Sequence, residues 1–227
     1  MKKNLSPMFA AVALSLAATL PAQAQAVTGD AKAGQGKAAM CIGCHGIVGY
    51  QTTFPEVYKV PKIAGQSEKY LAAALDAYKK GDRKHPTMRG IAVSLSDQDM
   101  ADLAAYYAQL GKPATAPTLP APAAPSAQVA QLLQKGACVS CHGANFSSPI
   151  DPSYPKIAGQ YADYMLVELK AYRDNTHPLW GRSNPVMAGM AKQFSNAELK
   201  ALAKYIGSLP GELKTVPQRE FRLGQRD

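Results

Sequence analysis

Beyond its first twenty residues this 227-residue chain has no apolar run long enough to cross a bilayer. It has no stretch of alternating β-branched residues, so a sheet-built core is excluded and helices are predicted. It has no compact Lys/Arg run, although its formal net charge is +9. Nothing in it resembles the basic stripe or the modules that nucleic-acid binding uses. Cysteine is scarce as well: there are four, and all fall in two Cys-x-x-Cys pairs.

The N-terminus reads as a secretory signal peptide over residues 1–26. Lys2 and Lys3 precede an uncharged apolar run from Met8 to Leu20, then Pro21 and Ala-Gln-Ala at 22–24 and 24–26. Cleavage is expected after Ala24 or Ala26. The run, at about 13 residues, is too short for a typical span, and a retained anchor is the alternative. Removing the signal leaves 23 basic and 16 acidic residues. In an exported chain four cysteines would by default form disulfides. The residue after each pair overturns that default.

The two pairs are Cys41-Ile42-Gly43-Cys44-His45 and Cys138-Val139-Ser140-Cys141-His142. Cys-x-x-Cys-His is the attachment pattern of c-type heme. Two intervening residues let both sulfurs bond one edge of a porphyrin as thioethers, and the next residue supplies an axial imidazole. Two covalent heme c groups are therefore expected. Zinc sites would compete with thiol oxidation outside the cytoplasm. A thioredoxin-like pair needs a strand–helix setting that the sequence lacks.

The halves repeat beyond these motifs. Pro61-Lys62-Ile63-Ala64-Gly65-Gln66 recurs unchanged at 155–160, and Ala77-Tyr78-Lys79 recurs as Ala171-Tyr172-Arg173. His85-Pro86 pairs with His177-Pro178 on this reading. Ser96 with Asp99, and Ser195 with Glu198, are capping-box starts of similar helices. Further helices are expected over 67–80 and 161–173, and short ones from near Asp30 and Ser126. The expected organisation is a first domain over 27–111, a Pro/Ala-rich linker over 112–126, a second domain over 127–211 and a tail over 212–227. Prolines rule out a continuous helix in the linker, which reads as a semi-rigid spacer between separate folding units. The tail's role, disordered or docking, is left open by the sequence.

Each iron needs a sixth ligand or an open face. A Met sulfur there stabilises the reduced iron and suits electron transfer. Met88 lies 43 residues after His45 and Met187 lies 45 after His142. Both are expected in loops before the last helix of their half, and both are the chosen ligands. Met190 and Met100 read as packing. His85 and His177 read as structural, with ligation as the alternative. The carbonyl of Pro61 or Pro155 is a candidate acceptor for the Nδ1 proton of the axial histidine; simple turn rigidity is the other reading.

These residues resemble the class I cytochrome c fold and, more narrowly, the diheme cytochrome c4 family. The resemblance spans nearly the whole mature chain up to Gly211. It implies an all-α protein of two tandem cytochrome c-like domains, related by a pseudo-twofold axis, with heme propionate edges meeting near the interface. It also implies a periplasmic electron carrier, free or peripherally attached to a membrane, working between a quinol-oxidising complex and a terminal oxidase with no small-molecule substrate. The carried-over ligands are His45 and Met88, then His142 and Met187. The alternatives are a diheme peroxidase or thiosulfate-oxidising enzyme, which needs an open iron, and a heme subunit of a larger oxidoreductase. The halves depart from each other at Gly34-Gln35-Gly36, where the second has Gln131-Leu132-Leu133, so the first-to-last helix crossing must differ.

Overall fold

A computed structural model describes residues 27–112, 115 and 119–217. The signal segment, part of the linker, and the tail beyond 217 with its three arginines lie outside the described residues.

The first half runs α1 (Ala31–Lys37), α2 (Ala39–His45), β1 (Gln51–Thr52), β2 (Tyr58–Lys59), α3 (Glu68–Lys80), β3 (Arg83–Lys84), α4 (Pro86–Ala92) and α5 (Asp97–Gln109). The second runs α6 (Ala127–Lys135), α7 (Val139–His142), α8 (Ala162–Arg173), β4 (Gly181–Arg182), α9 (Pro185–Ala191) and α10 (Asn196–Ser208). The polar starts behave as the sequence implies. Asp30 caps α1 and Ser126 caps α6 through their side chains. Ser96 with Asp99 and Ser195 with Glu198 form complete capping boxes, each satisfying backbone N–H groups left free at a helix start.

The apolar stripes set the packing. Leu103, Ala104 and Tyr107 of α5 pack with Ile42 and Leu71. In the second half Leu199 and Leu202 of α10 pack with Leu132 and Phe194, while Ala203 and Ile206 meet Phe146 and Met165. The helix crossings differ, as expected. At Gly34 an added Cβ would lie 2.1 Å from the backbone carbonyl oxygen of Asp102, so α1 and α5 touch backbone to backbone. At Gly36 an added Cβ would meet nothing within 4 Å, so only the first of the two glycines is needed for the approach.

Two expectations are corrected. Met88 and Met187 lie on the short helices α4 and α9, not in loops; a proline at the first helical position starts each one. The partner of His85 is Asn184, not His177. His85 caps α4 by accepting from the Met88 N–H, and Asn184 caps α9 by accepting from the Met187 N–H. The helix-dominated fold is as expected, and the strands among the described residues are two-residue pieces. One antiparallel ladder joins β1 to β2, and the other joins β3 of the first half to β4 of the second.

The linker does not hold the halves apart; they meet along a junction built from the repeated hexapeptide. Lys62 N–H donates to Gln160 Oε1 (3.0 Å) and Gln160 Nε2 donates back to the Lys62 carbonyl (2.9 Å). Lys156 N–H donates to Gln66 Oε1 (2.9 Å) and Gln66 Nε2 returns to the Lys156 carbonyl (2.9 Å). Both glutamines are buried. This reciprocal exchange is what a pseudo-twofold axis produces, and the Arg83–Arg182 pair of the β3–β4 ladder lies on the same axis. Past the second half, the chain returns: Lys214 N–H donates to the Ala64 carbonyl (3.0 Å), and Leu213 is buried. The tail up to 217 is thus a strap across the junction.

Candidate functional site

The helical repeat brings all eight sequence-selected residues to one continuous cavity. Cys41, Cys44, His45 and Met88 line it in the first half, and Cys138, Cys141, His142 and Met187 in the second; its volume is about 770 Å³. α2 carries the first Cys-x-x-Cys-His, and α7 with its preceding Cys138 carries the other. One helical turn places both thiols and the imidazole on the cavity side.

The two histidines are fixed alike. His45 Nδ1 lies 2.9 Å from the Pro61 carbonyl and His142 Nδ1 lies 3.0 Å from the Pro155 carbonyl. A carbonyl accepts only, so Nδ1 must carry the proton, which leaves the Nε2 lone pair free for a metal. Burial pushes the pKa of both imidazoles below the ordinary value, against the carbonyl hydrogen bond. Arg83 and His85 push His45 the same way. Both rings are therefore neutral at pH 7 and ready to ligate. The prolines act as acceptors as well as turn formers.

Of the competitors, His177 is exposed, stacks near Trp180 at 5.9 Å and accepts from the Leu179 N–H through Nδ1. It is absent from the cavity wall among the described residues. His85 lines the cavity, but its Nδ1 is engaged as the cap of α4. Met190 also reaches the wall, with Ile91 in the other half. Met100 is buried on α5, as packing requires.

The sequence reading missed a charged cluster between the two ends of the cavity. Glu168 of α8 accepts from Arg83 (2.8 Å) and from Arg182 (2.6 Å), and Arg83 also donates to the Tyr164 hydroxyl (2.6 Å). Arg83 stacks on Tyr78 at 4.5 Å and Arg182 on Tyr172 at 4.2 Å, as cations do over aromatic faces. A signal was available: each half places an arginine five residues before its Met.

The residues fit two c-type hemes. The cavity is lined by two thiol pairs, two metal-ready imidazoles and two thioethers, and most of its remaining wall is apolar side chain. The Arg83 Nε–H, buried in that wall, has no protein partner; a propionate is a carboxylate of the kind a guanidinium takes.

Comparison with known proteins agrees. The cytochrome c family model matches residues 31–111 and again 126–210. Cytochrome c4 of Stutzerimonas stutzeri is 36% identical over 211 residues, covering 87% of this chain and 98% of the relative. A thiosulfate dehydrogenase electron acceptor of Thiomonas intermedia is 32% identical over 199 residues, covering 85% and 89%. The crystal structure of reduced recombinant cytochrome c4 from Pseudomonas stutzeri superposes with a TM-score of 0.60 at 32% identity, over 80% of this chain and 100% of that one. The chain belongs to the cytochrome c family, in its diheme c4 branch, and takes two covalently attached hemes.

Proposed function

We propose that this diheme electron carrier is periplasmic and passes single electrons from a quinol-oxidising complex toward a terminal oxidase. Cys41 and Cys44 hold one heme and Cys138 and Cys141 the other. His45 with Met88, and His142 with Met187, would hold the two irons. The observation that carries the reading is the duplicated arrangement of a carbonyl-fixed imidazole and a helix-borne Met in the wall of one cavity. When bound, each heme supplies a one-electron iron couple. The chain's own part is to keep Nδ1–H on a proline carbonyl, to hold the sulfur at the start of a capped helix and to exclude water with apolar walls. With His and Met both engaged in each half, no position would be left open to peroxide or thiosulfate, which disfavours the enzyme alternatives.

Export is supported by the charged start, apolar run and Ala-Gln-Ala sites of residues 1–26. No helix among the described residues is long and apolar enough to cross a membrane. The redox partners are proteins that dock transiently over small surfaces. The Thiomonas relative favours a second reading, in which the donor is a thiosulfate-oxidising enzyme. Co-purification and reduction by such an enzyme would separate the two.

The test of the ligand set is a redox titration followed by visible absorption. Met88→His or Met187→His should lower the potential of one heme and leave the other nearly unchanged. The drop should be a sizeable part of the roughly 0.8 V over which axial ligands set heme potentials. Unaltered spectra and potentials in both variants would mean another group ligates the iron.

A further inference from the structure

The junction cluster breaks the symmetry of the repeat. Its tyrosines and arginines occur in register: Tyr70 and Tyr78 with Arg83, Tyr164 and Tyr172 with Arg182. Its carboxylate does not. Glu168 lies midway between Tyr164 and Tyr172, and the residue midway between Tyr70 and Tyr78 is Ala74. Ala74 also lines the cavity. Two guanidinium groups therefore share one carboxylate.

That carboxylate is charged and shielded from water. Glu168 has a side chain only 16% exposed, against 7% for Arg83 and 13% for Arg182. Burial pushes its pKa up, but the charges of Arg83 and Arg182 and their hydrogen bonds outweigh this and hold it below the usual value. Charges in such a setting are weakly screened. A fixed negative charge in a heme-cavity wall favours ferric over ferrous iron, because the ferric site carries one more positive charge.

We propose that Glu168, set between Arg83 and Arg182 in the wall shared by the two heme sites, is a positioning and potential-setting residue that lowers both midpoint potentials and, lacking a counterpart at Ala74, makes them unequal. The inference rests on two bound hemes but not on which sulfur ligates them. Failure of the methionine test therefore leaves it standing.

The experiment is a redox titration of the purified diheme protein and of its Glu168→Gln variant, with heme content and the low-spin spectrum as controls for folding. Gln keeps the shape and one acceptor but removes the charge. Both potentials should rise and their separation should change, with the larger shift reaching on the order of tenfold in the ferric-to-ferrous ratio at fixed potential, about 59 mV for one electron. Ala74→Glu, placing a second carboxylate at the register counterpart, should move the potentials down. Intact spectra with potentials unmoved in both variants would overturn the proposal. A common rise with an unchanged separation would overturn the asymmetry. Should Glu168→Gln lose heme, the Ala74→Glu protein alone decides: lower potentials support the proposal and unchanged ones refute it.

Discussion

In the first half α1 meets α5 through Gly34 and a knot of charge. Asp102 accepts from the Asp30 N–H (2.8 Å), Lys37 Nζ (2.6 Å) and Gln98 Nε2 (2.7 Å). In the second half α6 meets α10 through leucines, with Leu132 against Leu199 and Leu202. Ala201 stands where the first half has Asp102, counted from the capping serines. The groups assigned to hold the hemes agree between halves: the Cys-x-x-Cys-His turn, the proline carbonyl, the capped Met helix. The groups that join the first helix of each half to its last helix differ. The cofactor's chemistry admits few solutions, whereas many side chains can join two helices.

That contrast can be attacked directly. The second crossing should fail on loss of volume: Leu132→Ala is expected to cost about 3 kcal/mol in chemical denaturation. The first should fail on gain of volume. Gly34→Ala is expected to cost about 2 kcal/mol, because the backbone carbonyl of Asp102 has nowhere to go. Were Gly34→Ala neutral, the close approach would not be a constraint.

The junction should show the opposite behaviour, with both halves responding alike. Gln66→Ala and Gln160→Ala each strand a half-buried lysine amide and carbonyl, at about 1–2 kcal/mol apiece in the same assay. A large inequality between the two would break the twofold reading.

The smallest effect is on acid stability. The Asp30 amide, Lys37 and Gln98 hold the Asp102 carboxyl down at about 2, below its ordinary value. A depressed folded-state value means the stabilisation is complete above the unfolded value and fades as pH falls toward 2. The first half should therefore loosen with acid in the window from near pH 4 downward, and Asp102→Asn should flatten that dependence in a pH series of melting curves. At Ala201 no such group titrates.

Much of this was legible in the sequence because the chemistry is local. A pentapeptide fixes heme attachment, a hexapeptide marks the repeat, and serine followed by an acid three residues on marks each last helix. The register near the methionines was misread because the second half inserts extra residues between α8 and β4. A nearby His177-Pro178 then drew the match away from Asn184-Pro185. His and Asn both offer an acceptor to a helix start, so the function survives a change of residue type. The Arg83–Glu168–Arg182 cluster was invisible for another reason. Arg83 and Glu168 are 85 positions apart in sequence, and no local period announces a long-range ion pair.

The return of Lys214 to Ala64 bears on how this molecule can be divided. An excised fragment ending at Gly111 would miss the piece that finishes its own edge, and one beginning at Ser126 would end in a dangling pairing segment. The chain reads as two copies but comes apart as neither.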